Sequence, residues 1–278
     1  MNDVVFIADF FADQVPGGGE LNNEELIRVL IDMGYKLEKA NSHLVSANYI
    51  KSNLDKKFIV ANFINLNENS KKALVDARYI IYEHDHKYLL SRNPADYPGY
   101  VAPKEDIINF EFYKNAAKVV CQSMFHERIV KNNLKTDNII NVAGNLWSEE
   151  TLRLLEKISA QPKREAYSIM NSNIGHKNAA DAIKYCVLTK KKYELVSSLP
   201  YHVFLEKLGA NDTFLFLPKT PETLSRIVVE ARMMGMKVIT NERVGATKEK
   251  WFKLKGKELI EVFRNKRKEI PAAIIGCF

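Results

Sequence analysis

The sequence predicts an α/β chain made of two doubly wound domains opposed across a cleft. Three observations carry this expectation. Short β-rich runs alternate with longer amphipathic runs, the pattern of parallel strands covered by helices. The alternation stops at a polar, turn-rich stretch at residues 145–162 and then restarts. The chain has 278 residues, ample for two domains of ordinary size.

In the first half, residues 4–9 (VVFIAD) read as a buried strand. Residues 20–34 place Leu21, Leu26, Val29, Leu30 and Met33 at helical spacing, with Gly34 as a stop. Residues 57–63, 78–82, 117–121 and 139–142 read as further strands. Helical stretches lie between them at 70–76, 106–114 and 123–132. After the break, strands are expected at 167–170, 194–197, 214–217 and 237–240. Helices are expected at 178–188, 202–208 and 223–234. The domain boundaries predicted are 1–147, 148–250 and a terminal helical segment, 251–278, that packs back toward the first domain. Ligands of such sheets bind beyond the carboxyl ends of the strands. Chemistry is therefore sought in the loops at 14–20, 84–86, 171–177, 219–226 and 241–247.

Composition narrows the class. With 46% hydrophobic and 27% charged residues the chain is a soluble globular type. No apolar run nears the roughly 20 residues needed to span a bilayer. The N-terminal stretch carries acids where a signal peptide carries basic residues, so it reads as structure. Cys121, Cys186 and Cys277 have no paired spacing, which argues against a disulfide framework or zinc cluster and fits a reducing cytoplasm. The net charge of +7 favours anionic ligands without choosing among nucleotide sugars, nucleic acids and acidic membranes. A nucleic-acid role has no support beyond that charge.

The segment 217–231 follows a strand and opens a helix, and it sets Glu222 and Glu230 in the spacing E-x7-E. Carboxylates are good acceptors for vicinal hydroxyls. A helix start supplies amide N–H groups and the positive dipole end to a pyrophosphate, here at Ser225, Arg226 and Ile227. The run continues through Gly235 to Val238 and Thr240. Over residues 214–247 it resembles the donor-binding segment of the retaining family-four glycosyltransferases of GT-B fold, which have two Rossmann-like domains. The resemblance implies a hexosyltransferase-like enzyme that takes its sugar from a nucleotide diphosphate donor, with retention and without a metal or other cofactor. It implies that residues 1–147 form the acceptor domain and 148–250 the nucleotide-sugar donor domain, with Glu222 on the donor sugar and Glu230 on the ribose.

The same resemblance implies a lysine and an arginine on the diphosphate. Lys177 fits the first. The second is unmatched, because Asn171, Ser172 and Asn173 stand in its place, with Arg226 or Arg243 as substitutes. Gly17, Gly18 and Gly19 follow the first strand like the family's "GG.E" segment, where glycines let the backbone approach a phosphate or acceptor. The dinucleotide pattern G-x-G-x-x-G is absent there, which disfavours a dehydrogenase or methyltransferase. His84 and His86 end a strand and share a side if the strand continues. The resemblance places one of them near the reacting carbon. A metal site there lacks a patterned third ligand. No D-x-D triplet occurs, which disfavours the metal-dependent GT-A type.

Residues 250–268, from Lys250 to Lys268, mix apolar and basic side chains and offer either a membrane-surface helix or a core-packing one. The acceptor expected is a glycan, a lipid-linked molecule or a small molecule, with possible peripheral membrane contact by this segment. The alternative function is a non-catalytic module of the same fold that binds a nucleotide sugar or glycan.

Overall fold

The computed structural model describes residues 3–278. The chain divides into two units, one formed by the chain up to Leu146 together with Lys266–Phe278, the other by Trp147–Asn265.

The first unit is built on six parallel strands: β1 (Asp3–Ala8), β2 (Lys36–Asn41), β3 (Lys57–Val60), β4 (Arg78–Tyr82), β5 (Val119–Cys121) and β6 (Ile139–Asn141). They lie in the order β2-β1-β3-β4-β5-β6. Five helices connect them: α1 (Gly18–Asp32), α2 (Ala47–Lys51), α3 (Glu68–Leu74), α4 (Phe110–Asn115) and α5 (Met124–Leu134). Strand side chains alternate between two faces. Val5, Ile7, Phe58, Val60, Tyr79 and Ile81 enter one core with Leu74 and Val130. Val4, Phe6, Ile59, Ile80 and Tyr82 enter the other with Leu26 and Leu30 of α1. Burial on both faces is why these strands read as unbroken apolar runs.

β2 was not anticipated. Its sequence, KLEKAN, is largely polar because it pairs only with β1 and forms the sheet edge. Charged edge strands resist further pairing.

The second unit has four parallel strands: β7 (Arg164–Met170), β8 (Tyr193–Val196), β9 (Asn211–Phe216) and β10 (Lys237–Thr240), in the order β10-β9-β7-β8. Its helices are α6 (Glu149–Ser159), α7 (Ala179–Leu188), α8 (Tyr201–Leu208) and α9 (Arg226–Met233). α6 occupies the stretch read above as a break. Ser148 caps it by accepting the Thr151 amide, and Leu152, Leu155 and Ile158 bury one face. α9 starts at Arg226, three residues later than expected, because Ser225 takes a left-handed φ of 72° that a continuous helix cannot include.

A final helix, α10 (Gly256–Ile275), serves both cores. Leu259, Ile260 and Phe263 pack in the second unit beside Trp147 and Trp251, while Ile270 and Ile274 pack in the first. The large apolar side chains of the 250–268 segment are thus core residues. Lys253, Lys255 and Lys257 stay exposed.

Candidate functional site

In each unit the strand order reverses beside its first strand, between β1 and β3 and between β7 and β9. The crevice beyond the carboxyl ends at such a reversal is the favoured ligand position. Lys177, Glu222 and the Ser225–Ile227 turn lie on the connections of the second unit, and Gly19 and His84 line the crevice of the first.

In the second unit, three loops are knitted together past the strand ends. Asn178 donates to the Leu217 carbonyl at 2.8 Å, the Lys219 amide to the His176 carbonyl at 2.8 Å, and Asn241 to the Pro218 carbonyl at 2.8 Å. Glu222 is fixed by its backbone. Its amide donates to the Arg243 carbonyl at 2.8 Å and its carbonyl accepts the Gly245 amide at 2.9 Å. The Glu222 carboxylate meets the Lys177 ammonium at 2.7 Å, with side-chain exposures of 12% and 24%. Lys177 also lies 5.9 Å from the centre of the Phe216 ring. The sugar-binding acid and the phosphate-binding cation that the resemblance implies therefore neutralise each other here.

Glu230 is in a different setting. It is 3% exposed, and its Oε1 accepts the Trp147 indole N–H at 2.8 Å and the Tyr201 hydroxyl at 2.6 Å. Arg226 approaches the same oxygen at 3.7 Å and lays its guanidinium 4.3 Å from the Trp147 ring centre. Burial, and then the Glu230 charge, hold the Tyr201 hydroxyl far above its usual pKa, so it stays a donor. Sequence reasoning missed Trp147 and Tyr201, which lie 83 and 29 residues from Glu230 along the chain. No spacing rule reaches that far.

The start of α9 is not closed by its capping side chain. The Ser225 hydroxyl makes no hydrogen bond to the backbone and is buried without a hydrogen-bond partner. Ile227 follows in the first turn. Arg243, one of the two substitutes for the missing arginine, has a buried Nε without a partner. Both are buried donors that an anion could satisfy.

In the first unit, Gly17 precedes α1, and Gly18 and Gly19 open it. A Cβ on Gly17 would come within 2.2 Å of Glu20 Oε2. The glycine thus makes room for a carboxylate that folds back over the helix start. Glu20 Oε1 accepts from Asn62 Nδ2 at 3.2 Å, and burial pushes its pKa up. His84 is clamped at both ring nitrogens. Nε2 lies 2.6 Å from Asn23 Oδ1, and Nδ1 meets the Gln122 amide.

His86 does not share the side of His84. β4 ends at Tyr82, so the alternation fails before either histidine. His86 is 2% exposed, with Nδ1 2.8 Å from the Tyr88 hydroxyl and its ring edge-on to His126. Burial lowers its pKa to about 4. It faces the interior, which corrects the expectation that either histidine could line the site.

Among the described residues no group of three or more His, Cys, Asp or Glu side chains is placed to hold a metal ion. No helix among them is long and apolar enough to cross a membrane.

No protein-family model matches the chain, and no curated protein matches it by sequence. Solved structures do. HepE of Anabaena, in complex with UDP and glucose, is similar with a TM-score of 0.52 at 12% identity, over 96% of this chain and 89% of that one. The catalytic domain of starch synthase IV from Arabidopsis thaliana, bound to ADP and acarbose, gives 0.55 at 12% identity, over 99% and 94%. Sucrose-phosphate synthase from Thermosynechococcus elongatus gives 0.59 at 10% identity, over 87% and 82%. Likeness at this identity is a likeness of fold, and the fold is that of the GT-B glycosyltransferases, two Rossmann-like α/β units in one chain.

Proposed function

We propose that the chain transfers a sugar from a nucleotide diphosphate donor to an acceptor hydroxyl. The observation that carries this reading is the Lys177–Glu222 pair a few residues before the start of α9, at the carboxyl edge of a parallel sheet. The neighbours' structures hold UDP with glucose and ADP with acarbose, ligands of the kind proposed here. In this reading the diphosphate takes Lys177 and the Ser225–Ile227 turn, with Arg243 as the second cation. Glu222, released from Lys177, accepts from the sugar hydroxyls. Glu230 keeps Arg226, Trp147 and Tyr201 in place under the ribose.

The step balances without a cofactor. The acceptor oxygen forms a bond to the anomeric carbon while the bond from that carbon to the diphosphate oxygen breaks, the pair leaving with the diphosphate. The acceptor proton passes to the departing oxygen. Cations stabilise the charge that grows there. Retention, the course the family resemblance implies, is proposed to run by attack from the leaving-group side, with no protein carboxylate assigned as nucleophile. His84, held between Asn23 and Gln122, is assigned no proton-transfer step.

Contact with an anionic acceptor or membrane surface is proposed to run through Lys253, Lys255 and Lys257 as charges alone, since Trp251, Leu259, Ile260 and Phe263 are committed to the core. Unpaired cysteines, two of them buried, support a reducing, cytoplasmic setting.

The second reading is a binding module without turnover. One observation favours it: residues 171–173 supply no arginine to the diphosphate. A panel of UDP-, GDP- and ADP-sugars, with and without a chelator, separates the two. Release of nucleotide diphosphate that survives the chelator supports the enzyme. Saturable binding with no release supports the module. Absence of both refutes each.

A further inference from the structure

The sheet of the second unit ends on β8, which pairs with β7 alone. The Tyr167 amide donates to the Lys192 carbonyl and the Asn171 amide to the Val196 carbonyl, both at 2.9 Å. Alternate residues of a parallel strand turn their backbone groups to opposite sides. Lys192, Glu194 and Val196 therefore face β7, while the N–H and C=O of Tyr193 and Leu195 face outward.

The α7 face beside this edge is apolar and uncovered. Ala182 and Cys186 of α7 pack on Ile169 of β7 and Leu215 of β9. Leu195 is in register with Ile169, and Tyr193 with Tyr167, so both side chains stand on the α7 face where the helix does not cover them. They are 45% and 37% exposed, and Val187 and Leu188 at the end of α7 are exposed as well. Among the described residues of the second unit, every exposed large apolar side chain falls between residues 174 and 199. The first unit guards its edge differently, with Lys36, Glu38 and Lys39 on β2.

The other face supplies charge. Lys192 and Glu194 are two residues apart and share the α8 face. Glu194 accepts from Arg164 and Asn211 through Oε2, at 2.6 and 3.2 Å. Lys192 is exposed and in no ion pair among the described residues. A hollow of about 620 Å³ between β8 and α8, lined by Glu194, Val196, Val203 and Glu206, leaves room beside the strand. Pairing two copies of β8 antiparallel about a two-fold axis through Tyr193 joins their outward backbone groups. It also sets Lys192 of each copy opposite Glu194 of the other. An axis through Glu194 would oppose like charges, and one through Leu195 would oppose Glu194 to Val196. Opposite charges across strands stabilise a pair and like charges destabilise it.

We infer that β8 is a dimerisation edge and that its partner is a second copy of this chain, paired antiparallel about Tyr193 so that two four-stranded sheets become one. The uncovered α7 faces of the two copies become continuous across the axis, with Tyr193 against its counterpart.

The test is sedimentation equilibrium of the full chain over a range of concentrations. The wild type is expected to dimerise reversibly. Lys192→Glu alone and Glu194→Lys alone oppose like charges at both cross-strand sites, and each is expected to weaken dimerisation by about thirtyfold. The two variants mixed in equal amounts regain an opposite-charge pair at both sites, so a heterodimer of near wild-type strength is expected. Recovery requires both chains to be folded, which separates a lost contact from a lost fold. Tyr193→Pro removes an outward N–H without touching the bonds to β7, and is expected to abolish the dimer with an unchanged far-ultraviolet circular dichroism spectrum. A wild-type chain that stays monomeric overturns the inference, including the case in which a peptide of another protein occupies the edge. A dimer that any of the three variants leaves at wild-type strength overturns it, and so does a failure of the charge variants to recover on mixing.

Discussion

The Lys177–Glu222 pair makes a prediction with opposite signs for two ligands. Nζ and Oε1 are 2.7 Å apart, and both side chains are less than a third exposed. Coulomb attraction at that distance is about 1.5 kcal/mol at the dielectric of water and larger where water is partly excluded. Holding two side chains together consumes part of it, so the net worth is about 1 kcal/mol. A diphosphate that claims Lys177 must first break this pair. Replacing Glu222 by Gln removes the competitor and leaves the side-chain volume unchanged. The free nucleotide diphosphate should then bind about fivefold more tightly, since about 1.4 kcal/mol is a factor of ten. The nucleotide sugar should bind about five- to tenfold more weakly, because the carboxylate that accepts from its hydroxyls is gone. Isothermal titration of the two ligands against wild-type and E222Q protein measures both. If both affinities move together, or if Lys177→Met leaves diphosphate affinity intact, Lys177 is not a phosphate ligand and the assignment of the pair fails.

Three further outcomes follow from buried groups. Glu230→Ala should cost about 3–5 kcal/mol in denaturant unfolding, because it removes the buried carboxylate that Arg226 approaches and that accepts from Trp147 and Tyr201; a loss below about 1 kcal/mol would mean the cluster is not a unit, and Tyr201→Phe should cost about 1 kcal/mol by itself. Stability should fall as pH drops from about 6.5 toward 4: His86 has a folded pKa of about 4 against 6.5 when unfolded, so the unfolded chain binds more protons in that window, at a cost of about 3 kcal/mol when complete. Urea titrations at pH 7 and pH 4.5 read this, and a His86→Gln variant with the same acid slope would assign it to other groups. Gly17→Ala should displace the Glu20 carboxylate, whose Oε2 occupies the space of the new Cβ, and so break its hydrogen bond from Asn62 at a cost of about 1 kcal/mol; unchanged stability in denaturant unfolding would show that the carboxylate moves aside without losing that bond.

What the sequence discloses depends on how the information is distributed along it. β1, β3 and β4 are legible because both of their faces are buried, so nearly every residue is apolar. β2 is not, because an edge strand needs only one partner and carries Lys36, Glu38 and Lys39. α6 carried its own signals, a serine cap followed by leucines and an isoleucine at helical spacing, yet the polar Gln161–Pro162 turn just after it read as the dominant feature. The start of α9 depends on one backbone angle at Ser225, which composition does not report. Within the site, Glu222 and Lys177 could be named from a local motif. The partners of Glu230, and the Asn23–Gln122 clamp on His84, are brought in by the fold from 29 to 83 residues away.

That difference separates the two glutamates by more than legibility. Glu222 is held by its backbone, with its amide and carbonyl bonded to the 243–245 strand of chain, while its carboxylate has one exchangeable partner. Glu230 is held through its carboxylate, by an indole, a phenol and a guanidinium, on a helix that is otherwise core. A group that must release one partner and accept another is best anchored by atoms it does not use. A group that fixes the position of its neighbours is best anchored by the atoms that touch them. On this argument Glu222 meets the changing ligand and Glu230 keeps its surroundings rigid. Glu230→Gln, which retains an acceptor for Trp147 and Tyr201, should therefore damage nucleotide binding much less than Glu230→Ala. Equal loss in the two variants would show instead that the Glu230 charge touches the ligand directly.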